Sequence, residues 1–205
     1  MWLIALKGLS GSGKSMLGRA LSKQLSWPLI DKDDVKDLLD GYTPEAGGLA
    51  YDVMFNIARR QLLQGLNVIC DSPLVSSMSY QHARKIVTET SASLAVIECR
   101  CSDELLWNQR IDVRKALQLP RHHQTDWDAF KSILQDKLNE GNYQIIDPLL
   151  IVDTVKPFQE CLVEINDWIE QLFESAPDEY GKSRSVFEEN RGALTPAAPF
   201  DTFLK

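Results

Sequence analysis

The sequence predicts an α/β fold in which a five-stranded parallel sheet carries helices on both faces. Three observations lead there. Short apolar runs alternate along the chain with amphipathic stretches whose apolar residues recur at three- and four-residue steps. Those runs are apolar throughout, the pattern of strands covered on both sides. The first run also passes through a glycine-rich turn, GLSGSGKS at residues 8–15, directly into a helical pattern.

Taken in order, WLIAL from Trp2 is the first expected strand and Lys14–Leu25 the first helix, with Met16, Leu17, Ala20, Leu21 and Leu25 along its apolar side. PLI, ending just before Asp31, is the second strand, followed by helices over Asp33–Leu39 and Leu49–Gly65. NVIC, ending before Asp71, is the third, with a helix over Ser77–Glu89. LAVIEC is the fourth, with helices over Asp103–Leu117 and Thr125–Asn139; LLIVD is the fifth, before a closing helix over Phe158–Phe173. Thr125 is the expected cap of the sixth helix, and Asp128 supplies a carboxylate to its first turn. LQLPRHHQT reads as a loop from its proline and polar residues, with His122 and His123 on its surface. Residues 1–174 therefore make one domain. Residues 175–205, rich in Pro, Gly, Ser and charge, read as a tail, extended or partly disordered, with Phe187, Phe200, Phe203 and Leu204 available to anchor it.

At 205 residues, 44% hydrophobic and 25% charged, the chain is long enough for one sizeable core. A formal net charge of −7 argues against a general polyanion binder and disfavours a nucleic-acid partner, although it leaves room for a local basic groove. Cys70, Cys99, Cys101 and Cys161 form no C-x-x-C pair and have no histidine cluster beside them, so they are expected as reduced, buried thiols. No stretch approaches the ~20 apolar residues of a membrane span, and a strand opening at residue 2 leaves no room for a cleaved leader. The expected setting is cytoplasmic, or a soluble organellar compartment if a presequence was removed, with no membrane partner.

Gly8-Leu-Ser-Gly-Ser-Gly13-Lys14-Ser15 fits G-x-x-x-x-G-K-[ST], the phosphate-binding P-loop. Its glycines let the backbone curl so that successive N–H groups converge on phosphate oxygens, and the helix starting near Lys14 adds the positive end of its dipole. The expected nucleotide contacts are Gly8, Ser10, Gly11, Ser12, Gly13, Lys14, Ser15 and Met16. Lys14 would reach the β- and γ-phosphates, and Ser15 would offer its hydroxyl to Mg²⁺.

The remaining residues bear on how the nucleotide is used. The guanine-reading Asn-Lys-x-Asp box is absent, and the only Asp-x-x-Gly, Asp178 to Gly181, lies in the tail. Asp71 is followed by Ser72 rather than by the water-orienting carboxylate of motor-type ATPases, which favours transfer to an acceptor over hydrolysis. IDKDDVKDLL places Asp31, Asp33 and Asp34 at the end of the second strand, the sheet edge where doubly wound folds bind ligands. A carboxylate there can take the proton of an attacking hydroxyl or hold a Mg²⁺-bound water; the same residues can also cap the next helix. These residues alone leave open which of the three is the base. Asp71, ending the third strand, is a candidate for the metal site, through a Mg²⁺-bound water, or for an acceptor hydroxyl.

GLSGSGKS, IDKDDVKDLL, VICDSPL and a helix bearing Arg-x-x-x-Arg together resemble the small P-loop kinases. This adenylate-kinase-like group includes gluconate and shikimate kinases, chloramphenicol phosphotransferase, zeta toxins and polynucleotide 5′-kinase. In texture the chain is similar to zeta-toxin-like "AAA domain" proteins, with Asp-Ser-Pro-Leu after the third strand and a His-rich turn before a Trp-containing helix. The similarity spans most of residues 2–173, but the Asp-Gly-Phe-Pro-Arg of adenylate kinases and the Gly-Gly-Gly of shikimate kinases are missing. The resemblance implies an ATP- and Mg²⁺-dependent kinase with a helical lid, acting on a hydroxyl of a small molecule. Lys32-Asp33-Asp34-Val35-Lys36 is similar to the Arg-Asp-Asp-aromatic-Arg run of polynucleotide kinases, which implies Asp33 as base and Lys36 beside the acceptor. Asp31, Arg59 and Asp71 would complete the acceptor site, and Arg110 and Arg114 would join Lys14 in neutralising the moving phosphoryl group. VDTVKP lies where the group holds adenine, bringing in Asp153 and Thr154. A nucleic-acid 5′-end or tRNA-linked kinase and a non-catalytic ATP-binding regulatory module are the alternatives. The acceptor and the oligomeric state are left open.

Overall fold

The computed structural model describes residues 1–117 and 125–175. Its centre is β1 (Trp2–Lys7), buried at every position. Around it stand β2 (Leu29–Asp31), β3 (Val68–Asp71), β4 (Ser93–Arg100) and β5 (Leu149–Asp153) in the order β2-β3-β1-β4-β5, each pair parallel. The chain leaves β1 toward one edge of the sheet and later returns to build the other. That reversal makes the carboxyl end of β1 the switch point where open sheets bind ligands.

Side-chain alternation divides the sheet residues between two cores. Ile4, Leu6, Ile97 and Val152 face α1 (Lys14–Leu25) and α7 (Phe158–Ser175), meeting Leu17, Leu21, Ile165 and Ile169. Leu3, Ala5, Cys70 and Val96 face α3 (Ala46–Leu63) and α4 (Ser77–Thr90), meeting Met54, Phe55, Ala58 and Ala83. A Cβ at position 18 would lie 2.6 Å from Leu6 Cδ1, so Gly18 allows α1 to press directly onto β1 beside the P-loop. The four cysteines are buried and unbridged.

The remaining helices rise over the carboxyl edge. α2 (Lys32–Leu39) follows β2 without a loop, because Asp31 ends the strand and caps the helix, accepting from Asp33 N at 2.9 Å. α5 (Glu104–Ala116) and α6 (Trp127–Gly141) share a small core of their own, with Ile111, Trp127 and Phe130 buried and Trp107 packed against them. The cap of α6 is Asp126, which accepts from Ala129 N, rather than the expected Thr125. Asp126 is held there by Lys115 at 2.6 Å, and Asp112 takes the next amide, Trp127 N. α3 starts at Ala46, three residues ahead of the expected Leu49, and takes Gly47 and Gly48 into its first turn. The expectation of fully covered strands fails at the margins: β2 is half-buried throughout, and β5 exposes Leu149 and Ile151. His122, His123 and the tail residues from 176 onward lie outside the described residues. No helix among those described is long and apolar enough to cross a membrane.

Candidate nucleotide and acceptor site

The P-loop leaves β1 at Gly8, whose amide donates to Pro73 O at 3.1 Å, and folds back through Ser12 N to Leu9 O at 3.2 Å. Gly13 begins α1 in the left-handed region (φ 85°), a conformation that glycine adopts without strain. Among the described helices, α2, α4, α5 and α6 begin with a side chain accepting from their first amides: Asp31, Ser76, Asp103 and Asp126. At α1 no side chain does so, and no acidic residue stands in its first turn. Its unbonded amides and positive dipole end suit an anion.

Lys14 is buried, with Nζ 3.7 Å from Asp71 Oδ1. Among the described residues, neither oxygen of the Asp71 carboxylate, 1% exposed, has a hydrogen-bond partner. A helix-cap role for Asp71 is ruled out, because α4 starts at Ser77 under Ser76. Asp31 stands opposite Asp71 in the β2–β3 register. Burial first, and then the neighbouring Asp71 charge, push the Asp31 carboxyl up to about 6. Asp71 thus pairs with Lys14 and opposes Asp31, while Ser15 follows Lys14 in the chain; carboxylate and hydroxyl oxygens are the hard donors that Mg²⁺ prefers.

Asp33 lies on the first turn of α2, with Oδ1 2.7 Å from Lys32 Nζ. Lys32 is itself buried and its ammonium lies 5.5 Å from the centre of the Tyr51 ring. The Tyr51 hydroxyl oxygen accepts from Leu74 N–H at 3.0 Å, and burial raises the phenol to about 12. Lys32 and Tyr51 were not singled out by sequence reasoning. Lys32 lay inside the IDKDD run, whereas Tyr51 left no trace beyond its helical spacing to Phe55.

Several expected residues are placed elsewhere. Arg59 pairs through Nε with Glu89 at 2.9 Å, near the far end of α4, which takes it away from the aspartates. Lys36 leans toward Asp40 on its own helix, at 3.9 Å. Arg110 is spent on Thr154, donating to its hydroxyl at 2.8 Å and its carbonyl at 2.7 Å. Thr154 sits against the P-loop, its hydroxyl 3.0 Å from Ser12 O. Arg114 is half-buried; burial lowers its pKa, Arg19 and Arg110 add to that, and Asp71 opposes it. Of the two arginines, Arg114 therefore senses the site carboxylate while Arg110 braces the loop. Trp107 is a packing residue: its Nε1 donates to Ser10 O at 2.7 Å, and a Cβ at Gly11 would come within 2.8 Å of its ring.

A family model described as an AAA domain matches residues 3–142. The chain belongs to this AAA-domain family. No curated protein matches it. Among solved structures, it is similar to a protein of Chloroflexus aurantiacus J-10-fl designated a candidate kinase, at TM-score 0.67 and 24% identity, over 82% of this chain and 96% of that one. A sugar kinase from Janibacter sp. HTCC2649 follows at TM-score 0.62 and 13% identity, covering 83% and 95%. An APS kinase of Mycobacterium tuberculosis, in complex with AMPPNP and APS, gives TM-score 0.57 and 16% identity, covering 82% and 96%. At these identities the likeness establishes a shared fold.

The Asp31–Asp71 opposition makes a pH prediction for this AAA-domain protein. A carboxyl raised from the ordinary range to about 6 favours the folded state when protonated. Its contribution is present below the ordinary carboxylate range and is lost as pH rises through about 6. Asp31→Asn keeps a cap acceptor and removes the charge. Between pH 4 and 6.5 the wild type should lose about 1–2 kcal/mol relative to Asp31→Asn, after allowance for partial exposure. Urea unfolding across that range measures it, and parallel pH profiles for the two proteins would refute it.

Proposed function

We propose that the protein is an ATP- and Mg²⁺-dependent phosphotransferase that moves the γ-phosphoryl group to a hydroxyl of a small molecule. The carrying observation is the uncapped start of α1, with Lys14 turned to a buried carboxylate that has no hydrogen-bond partner among the described residues. Acceptor-side carboxylates stand next to it, and no water-orienting carboxylate follows Asp71. The names of its structural neighbours, a sugar kinase, an APS kinase and a gluconokinase, support the same reading.

In this reading the P-loop amides and Lys14 hold the β- and γ-phosphates. Asp33, fixed by Lys32, orients the acceptor hydroxyl and takes its proton as the oxygen attacks the γ-phosphorus; the bond to the β,γ-bridging oxygen breaks and ADP leaves. Arg114 faces the charge spreading over the phosphoryl oxygens. Ser15, Asp71 and Asp31 would hold Mg²⁺, which when bound neutralises phosphate charge. Residues 1–174 are the kinase domain and 175–205 a C-terminal tail, and the setting is cytoplasmic.

The test is a metabolite extract incubated with γ-labelled ATP and Mg²⁺, read by mass spectrometry for wild type and Asp33→Asn. A labelled phosphoester formed by the wild type and absent or sharply reduced with the variant is the expected result. Free phosphate released at equal rates by both, with no labelled ester, would reject the assignment.

A further inference from the structure

Behind the P-loop, touching it at Gly8, Leu9 and Ser12, lies a cavity of about 590 Å³. We propose that it is a second small-molecule site, shaped for an organic anion that carries an acidic headgroup on an aromatic or branched apolar body. This inference stands independently of the phosphotransfer reading.

The cavity borders the P-loop at Gly8, Leu9 and Ser12 but stands apart from the charged residues of the site already described. Lys14, Ser15, Asp31, Asp33 and Asp71 are not among its lining residues. The segment after β3 stands between it and the acceptor side: Leu74 N donates to Tyr51 on one side, and Leu74 O accepts from Tyr143 O–H at 2.6 Å on the other. Tyr143 lines the cavity, whereas Tyr51 does not.

Its floor is charged. Lys7 and Glu98, each 8% exposed, end β1 and β4 and pair at 3.0 Å. Arg100 Nε adds a second bond to Glu98 at 2.7 Å. Burial would raise the Glu98 carboxyl, but the bonds from Arg100 and Lys7 overcome it and hold it below the usual carboxylate range. Two cations against one carboxylate leave the floor one positive charge in excess. A buried ion pair is a weak source of stability, so fold maintenance alone gives little reason for a lysine here. The Arg100 side chain is 57% exposed, and among the described residues its terminal nitrogens bond to nothing. The walls are apolar and aromatic, from Trp107, Leu138, Tyr143 and Ile145. Ser12 closes one side, and among the described residues its buried hydroxyl has no hydrogen-bond partner. A positive, partly satisfied floor under aromatic walls selects an amphipathic anion, and the volume suits a ligand of one or two rings.

The probe is 8-anilinonaphthalene-1-sulfonate, titrated by fluorescence into the full chain, with the uncharged N-phenyl-1-naphthylamine as its neutral counterpart. The sulfonate should bind at least tenfold more tightly than the neutral probe and remain bound under saturating Mg·ATP. Arg100→Gln should weaken sulfonate binding about tenfold and leave the neutral probe unchanged. Leu138→Trp, which fills the cavity from a half-exposed position, should weaken both. Unchanged thermal unfolding qualifies each variant, and Arg100→Gln decides alone if Leu138→Trp misfolds. Failure of the sulfonate to bind, full displacement by Mg·ATP, or indifference to Arg100→Gln would overturn the proposal.

Discussion

Lys14→Met should remove Mg·ATP binding, weakening it at least 100-fold by calorimetry, and should also destabilise the empty protein. The first effect follows from losing the one ammonium at the start of α1, since each charge-assisted hydrogen bond to phosphate is worth about 1.5–3 kcal/mol. The second follows from what remains. Asp71 would be a buried carboxylate with neither an ion pair nor a hydrogen bond, facing Asp31 across the β2–β3 register. Breaking a buried pair from one side costs about 3 kcal/mol. Adding Asp71→Asn should recover most of that stability in urea unfolding without restoring nucleotide binding. The two readouts then separate a role in the fold from a role in the site. Wild-type affinity in Lys14→Met would remove the P-loop assignment. A double variant no more stable than the single would show that the 3.7 Å pair carries no energy.

The parts of this fold legible in the sequence are those governed by local rules. Strands at the middle of the sheet are apolar because both of their faces are covered, and the P-loop is legible because its geometry demands particular residues at fixed spacing. The edges were less so: Leu149 and Ile151 of β5 are as apolar as Ile4 and Leu6 yet exposed, since sequence does not tell a central strand from a marginal one. Site residues divide in the same way. Asp31 and Asp71 end strands and Asp33 follows Asp31 by two residues on the first turn of α2, so their position along the chain fixes their place at the sheet edge. Arg59 and Arg110 reach outward on long side chains, and their partners Glu89 and Thr154 were chosen by tertiary geometry, whereas Lys36 takes a local partner four residues on, Asp40. Arg110 and Arg114 share a helix face at four-residue spacing and still face different surroundings, because Thr154 arrives from β5, far along the chain. The burial of Lys32 beside Tyr51 likewise depends on α3 folding back over α2, which no local pattern encodes.

Asp33→Asn should lower kcat by about 10²–10⁴-fold on the acceptor found in the extract screen while leaving the KM for ATP within a few-fold. Asparagine keeps the size and one acceptor oxygen, so the change isolates the proton-accepting charge. The three clustered aspartates make the contrast informative. Asp31 is engaged as the α2 cap and opposes Asp71, so Asp31→Asn should chiefly alter the Mg²⁺ concentration needed for activity. Asp34 is exposed on the first turn of α2, and Asp34→Asn should stay near wild type. Lys32→Met tests the support for the base: it removes the ammonium 2.7 Å from Asp33 Oδ1, and it should reduce kcat less than Asp33→Asn does. Steady-state kinetics on the four variants gives the answer. If Asp34→Asn lost activity and Asp33→Asn kept it, the base would lie on the outer face of α2. The buried Lys32–Asp33 pair would then be an element of α2 packing against Tyr51 rather than of phosphoryl transfer.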